Sequence, residues 1–232
     1  MMKSWKTISG YRITRLISGR SNVFLLTSDT KSILIDTSTG GYWKKLDKRI
    51  EKYSNGRIDI LILTHAHYDH AFNAMRIKEK YNSLVYIQCN EEDNLLNGIN
   101  PEIVGSNIMT KMISSIFGKT FMRLKKYRGF SADILVHDRY DFELEDIHAY
   151  LMHTPGHSSG SMSLIIENEI AIVGDCMFGV FKSSVFPPFI ISSEDLIDSW
   201  GNLIETGCSL FLPSHGKEKT RDQLIKDYIC RK

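Results

Sequence analysis

A chain of 232 residues, 42% of them hydrophobic, can bury a substantial core without a metal or disulfide staple and suits one domain spanning 1–232. Its 29 Lys+Arg against 27 Asp+Glu leave a net charge of +2, which gives no global argument for a nucleic-acid or membrane partner. No stretch approaches the roughly 20 apolar residues of a membrane span, and Met1 to Ile8 lacks an apolar run of signal-peptide length. Cys89, Cys176, Cys208 and Cys230 are far apart and form no CxxC pair, so they read as reduced, mostly buried thiols of a cytoplasmic protein.

In chain order, Tyr11 to Ile17 alternates as a half-buried strand should. Asn22 to Thr27 and Ser32 to Asp36 follow across the turn-prone Ser28-Asp29-Thr30-Lys31, predicting an antiparallel meander. After Gly40-Gly41, the spacing of Trp43, Leu46, Ile50 and Tyr53 predicts an amphipathic helix ended by Asn55-Gly56. Ile58 to Leu63 reads as a buried strand that delivers the chain to Thr64-His65 at its carboxyl end, where open α/β sheets bind ligands. Residues 91–130 read as a mixed helical insertion outside the sheet, near the mouth of the site. Strands are expected at 133–136, 140–144, 146–152, 161–166 and 170–174, helices at 193–205 and 219–229, and the short apolar Leu210-Phe211-Leu212 between those helices.

The segment His65-Ala66-His67-Tyr68-Asp69-His70 holds three of the eight histidines and an aspartate within six residues. Neutral imidazole and carboxylate are the usual ligands of zinc and comparable divalent ions, at about 2.0–2.2 Å. A loop leaving a strand can turn His65 and His67 to one ion and Asp69 and His70 to a neighbour, whereas one helix would spread these positions around its circumference.

This segment resembles the HxHxDH signature of the metallo-β-lactamase superfamily, and the family's other motifs follow in order. Thr154-Pro155-Gly156-His157 resembles its TPGH loop, Ile172-Val173-Gly174-Asp175 its strand-end GD, and Leu212-Pro213-Ser214-His215-Gly216 its late PGHG-type loop. Each also has its own physical footing. Pro155-Gly156 forces a tight turn that presents His157, and a carboxylate ending a buried strand at Asp175 is costly unless cations face it. The resemblance implies an α/β four-layer αββα sandwich with metals at one edge of its two sheets. It implies that His65, His67 and His157 bind one ion, Asp69, His70 and His215 the other, and that Asp175 is shared. His137 and His148 read as structural, His153 as a hydrogen-bonding neighbour of the Thr-Pro-Gly turn, and Cys176 as a buried thiol facing away.

Two adjacent divalent ions, zinc first with iron or manganese as alternatives, share a water and lower its pKa towards neutrality. The expected activity is therefore hydrolysis of an ester, thioester or lactone carbonyl by a metal-bridging hydroxide, with Asp69 orienting it or moving its proton. A small-molecule substrate is expected. Secreted class B β-lactamases often have a cysteine where this chain has Asp175, so that activity is not expected. Gly174-Asp175-Cys176-Met177-Phe178 resembles the GDxLF of glyoxalase II-like thioesterases, which carry a long C-terminal helical domain, and acyl-homoserine lactonases resemble the chain in length and ligands. Both groups usually follow HxHxDH with a Gly-Gly-type turn, where this chain has Ala71-Phe72-Asn73-Ala74. Three other readings are weighed. A phosphodiester hydrolase acting on nucleic acid or nucleotides rests on the basic, aromatic run from Lys119 to Arg128, which a solvated helix face explains as well. An iron-dependent oxygenase or persulfide dioxygenase shares the ligand types, and a binding domain could retain the fold alone. The oligomeric state is not legible.

Overall fold

Strands whose side chains alternate between two apolar environments must be covered on both faces, and this chain does so with two sheets and flanking helices. A computed structural model describes residues 2–100, 104–106, 126–142 and 147–232. Most of the expected insertion at 91–130, and the end of the strand expected at 140–144, lie outside the described residues.

The first sheet has seven strands in sequence order: β1 (Ser4–Lys6), β2 (Arg12–Ser18), β3 (Asn22–Thr27), β4 (Ser32–Ile35), β5 (Ile60–Ile62), β6 (Leu84–Gln88) and β7 (Ile134–Val136). β1 to β4 pair antiparallel, as the expected meander requires, and β4 to β7 pair parallel. The second sheet has six strands: β8 (Arg139–Asp141), β9 (Ala149–His153), β10 (Met162–Ile166), β11 (Ile170–Gly174), β12 (Leu210–Pro213) and β13 (Lys219–Thr220). All its pairings are antiparallel except β11 with β12.

Period-two alternation builds the layers. Phe24, Leu26, Ile33, Ile35, Ile60 and Ile62 join Leu151, Leu164, Ile172 and Leu212 in a cluster between the sheets. Their neighbours Val23, Leu25, Leu34 and Leu61 pack outward on α1 (Trp43–Ser54) and α3 (Ala74–Tyr81) through Leu46, Ile50, Ala74 and Ile77. On the other side Ile165, Ala171, Val173 and Phe211 pack on α5 (Ser193–Glu205) and α6 (Arg221–Ile229) through Leu196, Trp200 and Leu224. Two short helices, α2 (Tyr68–Ala71) and α4 (Glu92–Asn97), follow β5 and β6. The result is the expected four-layer αββα order. No helix among the described residues is long and apolar enough to cross a membrane.

Three local differences from the sequence reading have simple causes. The run from Leu84 to Gln88 is a strand that had not been anticipated; it pairs between β5 and β7. α6 starts at Arg221 rather than 219, because Lys219 and Thr220 pair with β12 and Thr220 then caps the helix in a reciprocal box with Gln223. The histidine segment is only partly a loop, since Asp69 and His70 lie on α2.

Strand direction decides where the site forms. β4 and β5 run parallel, β11 and β12 run parallel, and β9 shares their direction through the antiparallel β10, so these carboxyl ends gather at one edge. Replacing Ile172, fully buried between the sheets, with alanine should lower stability by about 2–5 kcal/mol in urea unfolding. The same change at Ile8, 92% exposed, should stay within about 0.5 kcal/mol.

Candidate metal centre

Four strand ends and one short helix deliver the candidate ligands. β5 leads through Leu63 and Thr64 to His65 and His67, and α2 carries Asp69 and His70. β9 leads to the turn before His157, β11 ends at Gly174 before Asp175, and β12 leads to His215. The turn at Gly156 has φ +127°, and a Cβ there would lie 2.6 Å from the Leu196 backbone, so only glycine lets α5 pack this closely. Ser199 donates to Pro155 O at 2.8 Å, and Trp200 Nε1 donates to Cys176 O at 2.8 Å, so the same helix fixes the backbone on both sides of the site.

The donor atoms form three overlapping groups able to hold a metal: His65, His67 and His157; Asp69, His70 and His215; and His65, His70 and Asp175. Within each, the ligand atoms lie within 4.8 Å of one another. His67 Nδ1 is 2.8 Å from His65 Nε2 and 3.0 Å from His157 Nε2. The far ring nitrogens set the tautomers. His157 Nδ1–H donates to Phe189 O at 2.8 Å. His65 Nδ1 lies 3.1 Å from Thr64 Oγ1, whose own proton goes to Asp36, so that ring also donates outward. Both Nε2 atoms therefore turn bare lone pairs on one point, an arrangement that calls for a cation. Nitrogens sharing one tetrahedral zinc at about 2.0–2.1 Å stand about 3.3 Å apart, so a few tenths of an ångström of opening suffices.

The second group is richer in negative charge. His70 Nε2 is 3.9 Å from Asp69 Oδ1 and 3.7 Å from Asp175 Oδ1, and His215 Nε2 is 3.8 Å from Asp69 Oδ2 and 3.2 Å from Asp175 Oδ2. Asp175 Oδ2 is also 3.6 Å from His157 Nε2, which places this carboxylate between the groups. His70 Nε2 and Asp175 Oδ1 are buried and have no hydrogen-bond partner, as expected of two donors that face an ion. The donor set thus fits metal on geometry and on its orphaned atoms.

Burial and neighbouring imidazoles hold His65 well below the usual histidine range, and burial lowers His157. Burial also opposes charge on His70, but Asp36 and Asp175 outweigh it and push the ring up to about 10. His215 is raised likewise, because Asp175 outweighs its burial. Burial would raise Asp175, yet His215 and His70 hold it well below the usual carboxylate range. A proton on His70 thus supplies positive charge where the carboxylates demand it.

Several residues that shape the site were not singled out from the sequence. Asp36, 1% exposed, accepts from Thr64 N at 2.9 Å, Thr64 Oγ1 at 3.0 Å, His70 Nδ1 at 2.8 Å and Ser214 Oγ at 3.0 Å. Its signal is a carboxylate directly after an apolar strand. Glu91, fully buried, accepts from Ala66 N at 3.1 Å and Gly160 N at 3.3 Å, joining the loops of His67 and His157, and burial raises its pKa. Arg20, from the turn between β2 and β3, reaches Asp69 Oδ2 at 3.6 Å.

The remaining candidates also find places. His153 Nε2 bonds Ser159 O at 2.8 Å, and His137 and His148 join no ligand group among the described residues. Cys176 is buried on the helical side, its thiol pushed up to about 12 by burial. In the basic run, 119–125 lie outside the described residues. Tyr127 is buried with its hydroxyl on Ala66 O at 2.8 Å, and Arg128 pairs with Glu79 at 2.8 Å.

A profile of the metallo-beta-lactamase superfamily matches residues 17–215. The chain belongs to that superfamily. A "probable metallo-hydrolase" of Methanocaldococcus jannaschii is 32% identical over 202 residues, covering 85% of this chain and 88% of its own. A hydroxyacylglutathione hydrolase of Haemophilus influenzae is 28% identical over 160 residues, 68% of each chain. A metallo-beta-lactamase structure from Cronobacter sakazakii superposes with a TM-score of 0.70 at 16% identity, over 98% of this chain and 90% of its own. That last likeness speaks for the fold. The enzyme class expected from the sequence, a metal-dependent hydrolase of the metallo-beta-lactamase superfamily, agrees with these names.

Asp36→Asn should fold but bind zinc about 10- to 100-fold more weakly in competition with a chromophoric chelator, because His70 loses its anionic acceptor. The pKa directions set a second expectation. His70 and His215 are raised, so an ion entering their group must displace protons, and its affinity should climb from pH 6 to pH 8.5. His65 and His157 are lowered and already neutral at pH 7, so an ion in their group should show little pH dependence. Calorimetry in buffers of different ionisation enthalpy reads both proton counts. Equal counts for the two equivalents would contradict this assignment.

Proposed function

We propose that this superfamily member is a dinuclear hydrolase of an ester, thioester or lactone carbonyl in a small-molecule substrate. One observation carries the reading: ligand atoms from both sheets converge in two adjacent groups, with Asp175 facing both. In this reading His65, His67 and His157 hold one ion, Asp69, His70 and His215 hold the second, and Asp175 serves both. Zinc is the first assignment, and imidazole and carboxylate donors also suit iron or manganese. When bound, two such ions supply a hydroxide at neutral pH and polarise the carbonyl under attack.

The chain's own residues supply the rest. Asp69 turns Oδ1 towards His70 and Oδ2 towards His215 and Arg20, so in this reading it would hold the second ion and would orient the attacking water or take its proton. Asp36, Thr64 and the Phe189 carbonyl keep three imidazoles in the ligand tautomer. The acyl reading draws support from the named activity of the Haemophilus influenzae relative. The burial of Tyr127 and the pairing of Arg128 leave those two residues no evident part in gripping a nucleic acid. The free cysteines suit the reducing cytoplasm.

Elemental mass spectrometry on protein purified without added metal or chelator should find two zinc or manganese ions per chain. One iron, or two with oxygen-dependent redox activity, would replace this reading with an oxygenase. On the best substrate from a thioester, lactone and phosphodiester panel, Asp69→Asn should lose about 10²- to 10⁴-fold in turnover with a near-native thermal transition. Full turnover in that variant would remove Asp69 from the mechanism.

A further inference from the structure

The segment after Asp175 runs past His215 with its apolar side outward. The Phe178 ring stands 5.1 Å from the His215 ring, tilted by 36°, and 5.8 Å from Phe181. Val180 is 57% exposed and Phe181 48%, on the segment whose Phe178 packs against the His215 ring.

This exposure is held in place. Gly179 N donates to His215 O at 2.7 Å and Lys217 N donates to Gly179 O at 3.0 Å, strapping the segment to the loop that carries His215. The approach is so close that a Cβ on Gly179 would lie 1.9 Å from Lys217 O. Two buried charged side chains fix the far end. Lys219 Nζ donates to Phe181 O, and Asp227 Oδ2 accepts from Ser184 Oγ at 2.6 Å and Val185 N at 2.7 Å. Phe178 N donates to Val185 O at 2.7 Å, closing the loop on itself. The N–H groups of Phe178 and Gly179 and the carbonyls of Gly179 and Phe181 are thereby engaged internally. What Val180 and Phe181 offer to a ligand is apolar side-chain surface on a preset backbone.

We propose that Val180 and Phe181, on the segment strapped to the His215 loop, bind the apolar acyl chain of the substrate, so that medium-chain acyl compounds are preferred over acetyl-sized ones. The size of the shelf supports this occupant. Two side chains and the edge of a third span several methylenes, far below the roughly 800 Å² per partner of a stable protein interface. The proposal rests on the acyl-hydrolase reading above and adds the part of the substrate that the metal groups do not read.

The test separates the two. Non-hydrolysable S-alkyl thioethers of N-acetylcysteamine, from ethyl to octyl, are titrated calorimetrically into the full chain as purified. Affinity should rise about twofold per methylene, half the fully buried limit of about fourfold. Phe181→Ser and Val180→Ser should each flatten that series, lowering the octyl-to-ethyl affinity ratio about tenfold across the pair. Phe181→Leu should restore most of it, and Ile229→Ser, 70% exposed on α6, should leave the series as in the parent protein. A flat series in the parent, or an unchanged slope in both serine variants with native melting, overturns the shelf. The matching acyl thioesters then read turnover. A chain-length series in binding without any hydrolysis upholds the shelf and counts against the hydrolase reading.

Discussion

The buried carboxylate of Asp36 is the constraint around which this edge of the sandwich is organised. A carboxylate withdrawn from water costs several kcal/mol unless donors surround it, and here they come from three separate stretches of chain. Thr64 leads out of β5, His70 lies on α2, and Ser214 follows β12 in the other sheet. Satisfying one charge therefore fixes the relative positions of three strand ends across both sheets. The backbone bends to make this possible: Asp36 has φ +61° and Ser38 φ +57°, left-handed values that non-glycine residues seldom adopt. Thr37 completes the clamp, its N–H and hydroxyl both donating to His70 O.

The same carboxylate makes the two donor groups unequal. His65, His67 and His157 meet with no carboxylate of their own beyond the edge of Asp175. His70 has Asp36 behind it and Asp69 and Asp175 in front. His65 and His157 are driven neutral by burial and by neighbouring imidazoles, and so stand ready as ligands. Imidazoles in the second are driven towards protonation by the charges that would also attract a metal. Proton and cation compete for the second position far more than for the first, a difference set by residues behind the ligands.

Much of this was legible in the sequence, for a physical reason. The seven candidate ligands sit in short, locally distinctive segments, and the strands that deliver them alternate or run apolar over their full length, so pattern and motif agree. Asp36 and Glu91 were not legible, because each is one acidic residue at the end of an ordinary element. Their meaning lies in contacts 28 to 178 residues away for Asp36 and 25 to 69 residues away for Glu91. β6 was missed for a different cause. Its five residues are a short apolar run that periodicity alone does not tell from a buried helix segment, and only pairing with β5 and β7 marks it as a strand.

The departure at Phe72-Asn73 shows how such a site tolerates a changed motif. Where the thioesterase and lactonase motifs that the segment resembles carry a glycine turn, Phe72 here keeps helical angles and Asn73 bridges α2 to α3. The bulk of Phe72 is accommodated opposite, at Gly40, where a Cβ would come within 2.4 Å of the Phe72 ring. The amide of Asn73 then donates to the carbonyls of Thr37, Ser38 and Thr39 at 2.9 to 3.2 Å, and its N–H donates to Thr37 Oγ1 at 3.1 Å. Those carbonyls belong to the strained turn that presents Asp36. A motif position that another sequence gives to backbone flexibility is used in this chain to hold the turn behind His70, so the substitution reinforces the arrangement it would be expected to disturb.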